Sequence, residues 1–365
     1  MLDASALPPP AIAAPAPYEA SFGLVAGTAP PGTRRLIVRL GDRVLVDRPL
    51  RSRSYAVHVD LPQRELSLRV TAVAAGGRRS SATVGPVFGL PRGAARSARG
   101  TSQDPALAQT VRTLTRSFGG TSAVYVQDLA TGRGAAWNAR ARFPAGSTLK
   151  LAIAVTVLRA QNGKPAPGTR LDSLLHEMVV HSDNRAANDL EVLLAGSTSA
   201  GSTRVNETMT ALGLRDTLMY GGYLTRASQG AIPIGIDAQP ALGLGKYTTA
   251  WDLARLARTV HLAALGQGPL LPLGVSGAEA RYLLRLLAHV TDRGKLDRFL
   301  GGSAFVLHKA GWLERARHDN GLVYWPGGAY VAAVMTWSPS GVGSSSDVLA
   351  GRVAFAALKR FRSVG

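Results

Sequence analysis

The sequence contains no cysteine. That removes disulfides, thiolate metal sites and cysteine nucleophiles, though it does not choose a compartment. Acidic residues are scarce: 23 Asp and Glu stand against 42 Lys and Arg, a formal net charge of +19. Lysine is scarcer still, with six, at positions 150, 164, 246, 295, 309 and 359. The rest of the positive charge is arginine. No run approaches the ~18 apolar residues of a membrane span. There is no dense basic run, no nucleic-acid motif and no interleaving of the tryptophans with basic residues, so no nucleic-acid partner is expected. The scattered arginines read as compositional bias. Attraction to an anionic surface such as a cell wall is the other meaning the charge can carry.

What is present is enough for two domains. The chain has 365 residues and an ordinary hydrophobic content of 46%. The opening ALPPPAIAAPAP is broken by prolines and lacks a basic start, so it reads as the stub of a linker. If the native protein is exported, its signal lies outside this sequence. Residues 18–90 read as a small Ig-like β-sandwich. YAVHVDL places Tyr55, Val57 and Val59 on one face and Ala56, His58 and Asp60 on the other. Leu66, Leu68, Val70 and Ala72 repeat the pattern, and Gly41-Asp42 separates two strand-like runs as a tight hairpin turn. No chemistry is visible there; a lone His58 reads as a half-exposed strand residue.

Residues 91–104 are small, polar and punctuated by glycine and proline, which predicts a linker. Residues 105–365 form the second domain. A helix is expected around Pro105–Phe118, followed by strands in SAVYVQDL and GRGAAWN. Helical patterns dominate from Leu171 to about Leu265. Strands return in SAFVLHKAG, NGLVYW and YVAAVMTW, and a last amphipathic helix spans Ser346–Arg362. Strands at both ends with helices between predict an α+β domain: one antiparallel sheet with a helical lobe.

One lysine is out of place. In FPAGSTLKLAIAVTVL, Lys150 interrupts an apolar helical run, three residues after Ser147. Side chains three apart share a helix face. A lysine in a buried helix is partly desolvated, which lowers its pKa and frees a neutral amine to take a proton from the serine. Ser-x-x-Lys alone is a weak signal, since a helix-capping serine and a snorkelling lysine give the same string. Two further segments follow it: Ser182-Asp183-Asn184 between helical runs, and Lys309-Ala310-Gly311 ending a strand-like run.

STLK, SDN and KAG in this order, with FPAGSTLK, SDNRAAND and HDNGLVYWPGGAYVAAVMT around them, resemble the motif set of class A β-lactamases and penicillin-binding proteins. The resemblance spans roughly residues 105–362. It implies a β-lactamase/transpeptidase-like fold and acyl transfer, without a metal or organic cofactor, through an ester on Ser147. Lys150 would be the proton acceptor and Ser182 the relay to the leaving nitrogen. Asn184 would bond the substrate amide, and Lys309 would supply charge near Ser182 and a substrate carboxylate. Gly311 and Trp312 would belong to the substrate-binding edge, the backbone N–H groups of Ser147 and Trp312 forming the oxyanion hole. Asp183 would fix its loop. The acyl donor would be a β-lactam or a peptidoglycan-like D-alanyl peptide, and the location extracytoplasmic.

Three departures qualify this. Ala310 replaces a hydroxyl residue. The 35 residues from Ser147 to Ser182 are fewer than is usual in class A β-lactamases, which points to a trimmed helical lobe. No glutamate stands where a deacylating water would be activated: TLMYGGYLTRASQ has no carboxylate, and Asp216 before it aligns poorly. The alternative is therefore a slow or non-catalytic penicillin- or wall-binding protein with a degenerate cleft.

Other apparent motifs are rejected. His176-Glu177-x-x-x-His181 misses the i, i+4 zinc spacing by one residue, and the extra residue is expected to turn His181 away. His181-Ser182-Asp183 has triad residue types that cannot converge from adjacent positions. Gly243-Leu244-Gly245-Lys246 lacks phosphate-loop spacing.

Overall fold

The computed structural model describes residues 7–98, 100–161, 163–223 and 245–363. The chain divides into two compact units, Met1–Ala95 and Arg96–Gly365.

The first unit is all β: β1 Ala11–Ala14, β2 Glu19–Ser21, β3 Leu24–Thr28, β4 Thr33–Leu40, β5 Arg43–Pro49, β6 Ser54–His58, β7 Glu65–Ala74 and β8 Arg79–Gly89. They form two sheets, ordered β1-β3-β6 and β2-β8-β7-β4-β5. The alternation of period two decides which side chains meet. Tyr55 and Val57 of one sheet and Leu36, Leu68 and Val70 of the other share one core. Gly41 (φ +56°) makes the turn of the β4–β5 hairpin. The proline-broken opening is not a linker stub throughout, because Ala11–Ala14 pairs with β3. β1 lies at the sheet's edge, where flanking prolines cost no ladder bond.

The second unit contains β9 Ser102–Gln103, α1 Pro105–Arg116, β10 Thr121–Asp128, β11 Arg133–Trp137, β12 Phe143–Pro144, α2 Lys150–Ala160, α3 Arg170–Val180, α4 Asn184–Ala195 and α5 Thr198–Ala211. β13 Tyr247–Thr248, α6 Ala250–Ala264, α7 Gly277–Ala288, β14 Phe305–Leu313, β15 Ala316–Trp325, β16 Gly328–Trp337 and α8 Ser344–Arg362 complete it. The main sheet runs β14-β15-β16-β10-β11-β9, antiparallel except for the short parallel β9. On one face α1 and α8 bury Leu107, Val111, Leu349, Val353 and Phe361 against Val124, Val126, Val323 and Val334. The other face receives α6: Tyr324, which alternates with Val323, bonds His261 at 2.9 Å. The lobe centres on α2, which packs on α3, α4, α5 and α6.

Residues 91–104 hold more order than their composition suggests. They include a 3-10 turn at Arg92–Ala95 and β9, and they end at a buried anchor. The Asp104 side chain is fully buried, caps α1 through Leu107 N (3.0 Å) and meets Arg133 (3.0 Å) and Arg360 (2.9 Å). Three donors around one carboxylate explain an anchor that a polar string does not advertise. Among the described residues, no helix is long and apolar enough to cross a membrane.

Candidate active site

Ser147 stands in a 3-10 turn, Gly146–Leu149, and the α-helix begins only at Lys150. The turn is held at its entry, where β12 pairs β13 and Ala145 N donates to the Lys246 carbonyl at 2.9 Å. Gly146 (φ +53°) takes a left-handed conformation that a side chain would resist. Across from it runs the free edge of β14. A Cβ on Gly146 would lie 3.1 Å from Trp312 N, and one on Gly311 would lie 2.7 Å from both Ser147 N and Thr148 N. Two glycines thus let the Ser147 turn and the strand meet backbone to backbone. His318 of β15 braces the same corner. Its Nδ1 accepts from Thr336 N (3.2 Å), so Nε2 carries the hydrogen and donates to the Pro144 carbonyl (2.7 Å). Burial drives the His318 pKa down to about 4, so the ring is neutral.

Lys150 is fully buried, as is every residue from it to Leu158. Its Nζ donates to the Ser182 carbonyl, to Asn184 Oδ1 at 2.6 Å and to Ser182 Oγ at 3.4 Å. No hydrogen bond joins it to Ser147 in this arrangement. Burial is the largest cause pulling its pKa down, to about 7; the charges of Lys309 and Lys246 add to it and Asp183 opposes it. Ser182 itself has φ +60°. Asp183, extended, caps α4 by accepting from Ala186 N at 2.7 Å, as a loop-fixing residue should. Lys309, also buried, donates to Ser182 Oγ at 2.8 Å. Burial lowers its pKa to about 8, with Asp292 and Asp319 opposing and Lys295 adding. Asn320 fixes the Lys309 carbonyl at 2.8 Å. Trp312 is 64% exposed at the rim.

The seven residues singled out in the sequence, Ser147, Lys150, Ser182, Asn184, Lys309, Gly311 and Trp312, therefore come together around one corner. Asp216 does not join them; it pairs with Arg140 (3.2 Å) and Arg142 (3.1 Å). Besides His318 and Asn320, the participants that the sequence did not single out for the site are Asn188, Tyr223 and Lys246. Tyr223 lies with its ring 4.7 Å from Lys150 Nζ and 4.5 Å from Lys246 Nζ. GGY, residues 221–223, lies within the carboxylate-free segment TLMYGGYLTRASQ. Residues 224–229 of that segment, and Gly243-Leu244 of the glycine run, lie outside the described residues.

The expected separation of His176 and His181 is not found. The spacing of five does not separate them. Helix α3 ends at Val180, and His181, its C-cap, brings its ring to 5.3 Å from that of His176. The donor atoms of His176, Glu177 and His181 lie within 4.8 Å of one another on an accessible surface.

The profile of the beta-lactamase enzyme family matches residues 106–166 and 160–361. No curated protein matches the chain. Among solved structures, PBP-A is similar with a TM-score of 0.58 and 21% identity, over 73% of this chain and 100% of that one. A mutant of PBP-A, solved as an acyl-enzyme complex with penicillin G, gives 0.56 at 21% identity over 73% and 100%. A beta-lactamase from Streptosporangium roseum gives 0.56 at 18% over 72% and 100%. A class A beta-lactamase from Mycobacterium abscessus gives 0.55 at 18% over 70% and 99%. At these identities the likeness establishes the fold.

Proposed function

The chain belongs to the beta-lactamase enzyme family, and from that premise we propose that it acts by acyl transfer through an ester on Ser147, with a β-lactam or a D-alanyl-peptide-like amide as donor. The observation that carries this reading is the buried Lys150, bonded to Ser182 and Asn184 one turn from Ser147, with Lys309 on the far side of Ser182.

Ser147 Oγ attacks the donor carbonyl as its proton passes to the neutral Lys150 amine, whose Nζ swings from the Ser182 carbonyl toward Ser147. The oxyanion takes hydrogen bonds from the N–H groups of Ser147 and Trp312. Ser182 delivers a proton to the leaving nitrogen and is resupplied by its lysine neighbours. Asn184 holds the donor's amide, and Lys309 faces its carboxylate. The C–N bond breaks and the acyl group stays on Ser147 until water or an amine removes it. The same reading puts the protein outside the cytoplasm, where wall peptides and β-lactams are met; the charge of +19 favours an anionic wall polymer as a second partner.

Turnover should be slow. Among the described residues, no carboxylate hydrogen-bonds Lys150 or Ser147, and Ala310 offers no hydroxyl to the donor. These two features also support a second reading, a binding protein with a degenerate cleft. Intact mass after incubation with a penicillin, wild type against Ser147→Ala over hours, separates them. A serine-dependent adduct that persists supports a slow acyl-enzyme, and one that appears and decays with product supports a working β-lactamase. No adduct removes β-lactams from the reading.

A further inference from the structure

Tyr223 is gripped more firmly than a loop residue needs to be. Its N–H donates to Asn188 Oδ1 (2.5 Å) and its carbonyl accepts from Asn188 Nδ2 (2.8 Å), so one α4 side chain holds both polar groups of its backbone. Lys246 Nζ donates to the carbonyls of Tyr220 (3.0 Å) and Gly222 (2.7 Å), closing the turn from the other side. Gly222 must be glycine for this grip, since a Cβ there would stand 2.8 Å from Asn188 Oδ1. Tyr223 Oη donates to the Gly146 carbonyl at 3.3 Å, one residue before Ser147. Between these anchors the ring lies close to both the Lys150 and the Lys246 ammonium groups. The negative face of a π-system attracts cations, which offsets part of the cost of confining two near each other.

We propose that Tyr223 is a positioning residue for acyl transfer: its clasped ring seals Lys150 from solvent and fills the space through which water would reach an ester on Ser147. The inference rests on the reading of Ser147 as nucleophile. Lys150 is bonded by Ser182 and Asn184 on one side, and on another the Tyr223 ring lies 4.7 Å from its Nζ. The Tyr223 hydroxyl on the Gly146 carbonyl sets the same ring beside the Ser147 turn.

Among the described residues, the groups that face Lys150 are Ser182, Asp183 and Asn184 from the α3–α4 corner, Lys309 from β14, and Tyr223 and Lys246 from the loop side. Glu191 of α4 acts on Tyr223 and Lys246. Burial is the largest cause lowering the Lys150 pKa, so admitting water acts first on that cause.

The test compares wild type, Tyr223→Phe, Tyr223→Leu and Tyr223→Ala. Acylation by a penicillin is followed against pH, and adduct lifetime by intact mass. Lys150 is titrated independently by NMR of 13C-methylated lysines, which needs no adduct. Tyr223→Ala should raise the Lys150 midpoint by about one pH unit and shorten the adduct lifetime about tenfold. Tyr223→Leu, which keeps apolar bulk, should move both the same way by less and guards against an alanine variant that does not fold. Tyr223→Phe should restore wild-type values, which a merely structural role for the hydroxyl would not predict. A wild-type Lys150 midpoint in the leucine and alanine variants overturns the proposal. A wild type that forms no adduct while Lys150 still shifts in the variants overturns instead the reading of Ser147 and the ester-shielding half of the proposal.

Discussion

Lys309 Nζ donates to Ser182 Oγ at 2.8 Å across 127 residues of sequence, and the serine that receives it has φ +60°. A left-handed serine costs about 1–2 kcal/mol. It persists because its surroundings over-determine it: Lys150 holds its carbonyl, Lys309 its hydroxyl, and the following residue caps a helix. The strain aims the hydroxyl between two lysines.

Removing that cap separates aim from stability. Asp183→Ala should cost about 1 kcal/mol through the lost bond to Ala186 N. Because Ser182 is then freer to relax, acylation should fall about tenfold or more. Denaturant unfolding and adduct formation, measured on the same preparation, give both numbers. Acylation that holds at the wild-type rate while stability drops would mean that Ser182 needs no such aiming.

The two lysines should also write the pH dependence of acylation. With Lys150 as the proposed base, its pKa lowered to about 7 by burial, the rate should rise as pH passes upward through 7. Lys309, which holds Ser182 and is proposed to face the donor, has its pKa lowered to about 8, so the rate should fall again above 8. A narrow bell results. Replacing Lys309 by glutamine should remove the alkaline limb along with most of the rate. A profile that stays flat from about pH 6 to 9 would exclude Lys150 as the base.

Much of this was legible in the sequence, and the boundary has physical causes. STLK, SDN and KAG carry local geometry: an i, i+3 pair on one turn, a capped loop, and an edge strand that runs two residues past the expected end. Their convergence follows once the sheet and lobe form. The alternation in Tyr55, Val57 and Val59 likewise announced which face would be buried. What the sequence did not announce depends on residues far apart. Asn188 and Tyr223 meet across 35 positions, and nothing in either string marks the pair. Asp104 looks like the last residue of a polar linker, but its partners are Arg133 and Arg360. His181 defeats spacing arithmetic because it sits where the helix stops, and i+5 reasoning applies only while a helix continues.

Restoring a hydroxyl to the third motif should sharpen recognition of acidic donors. Ala310 is buried beside Lys309 on β14. A hydrogen bond to a charged group contributes about 1.5–3 kcal/mol, so Ala310→Ser should speed acylation by a carboxylate-bearing penicillin roughly ten- to hundredfold. The methyl ester of the same compound should gain little. An equal gain for acid and ester would show that the hydroxyl acts on something other than the carboxylate.

The approach of β14 to the nucleophile turn offers the sharpest steric prediction. A Cβ on Gly311 would stand 2.7 Å from Ser147 N, 2.7 Å from Thr148 N and 2.9 Å from the Ala145 carbonyl oxygen. None of these is the end of a flexible side chain; all are backbone, so strand and turn must part. The N–H groups of Ser147 and Trp312, proposed as the oxyanion hole, would then be displaced, and a misplacement of about 1 Å costs about a hundredfold in rate. Gly311→Ala should therefore lose about a hundredfold or more in acylation while circular dichroism keeps the α+β signature. Gly302→Ala is the control, since a Cβ there meets nothing within 4 Å and both quantities should stay at wild-type values. If Gly311→Ala acylates as fast as Gly302→Ala, the hole is not built from these two amides.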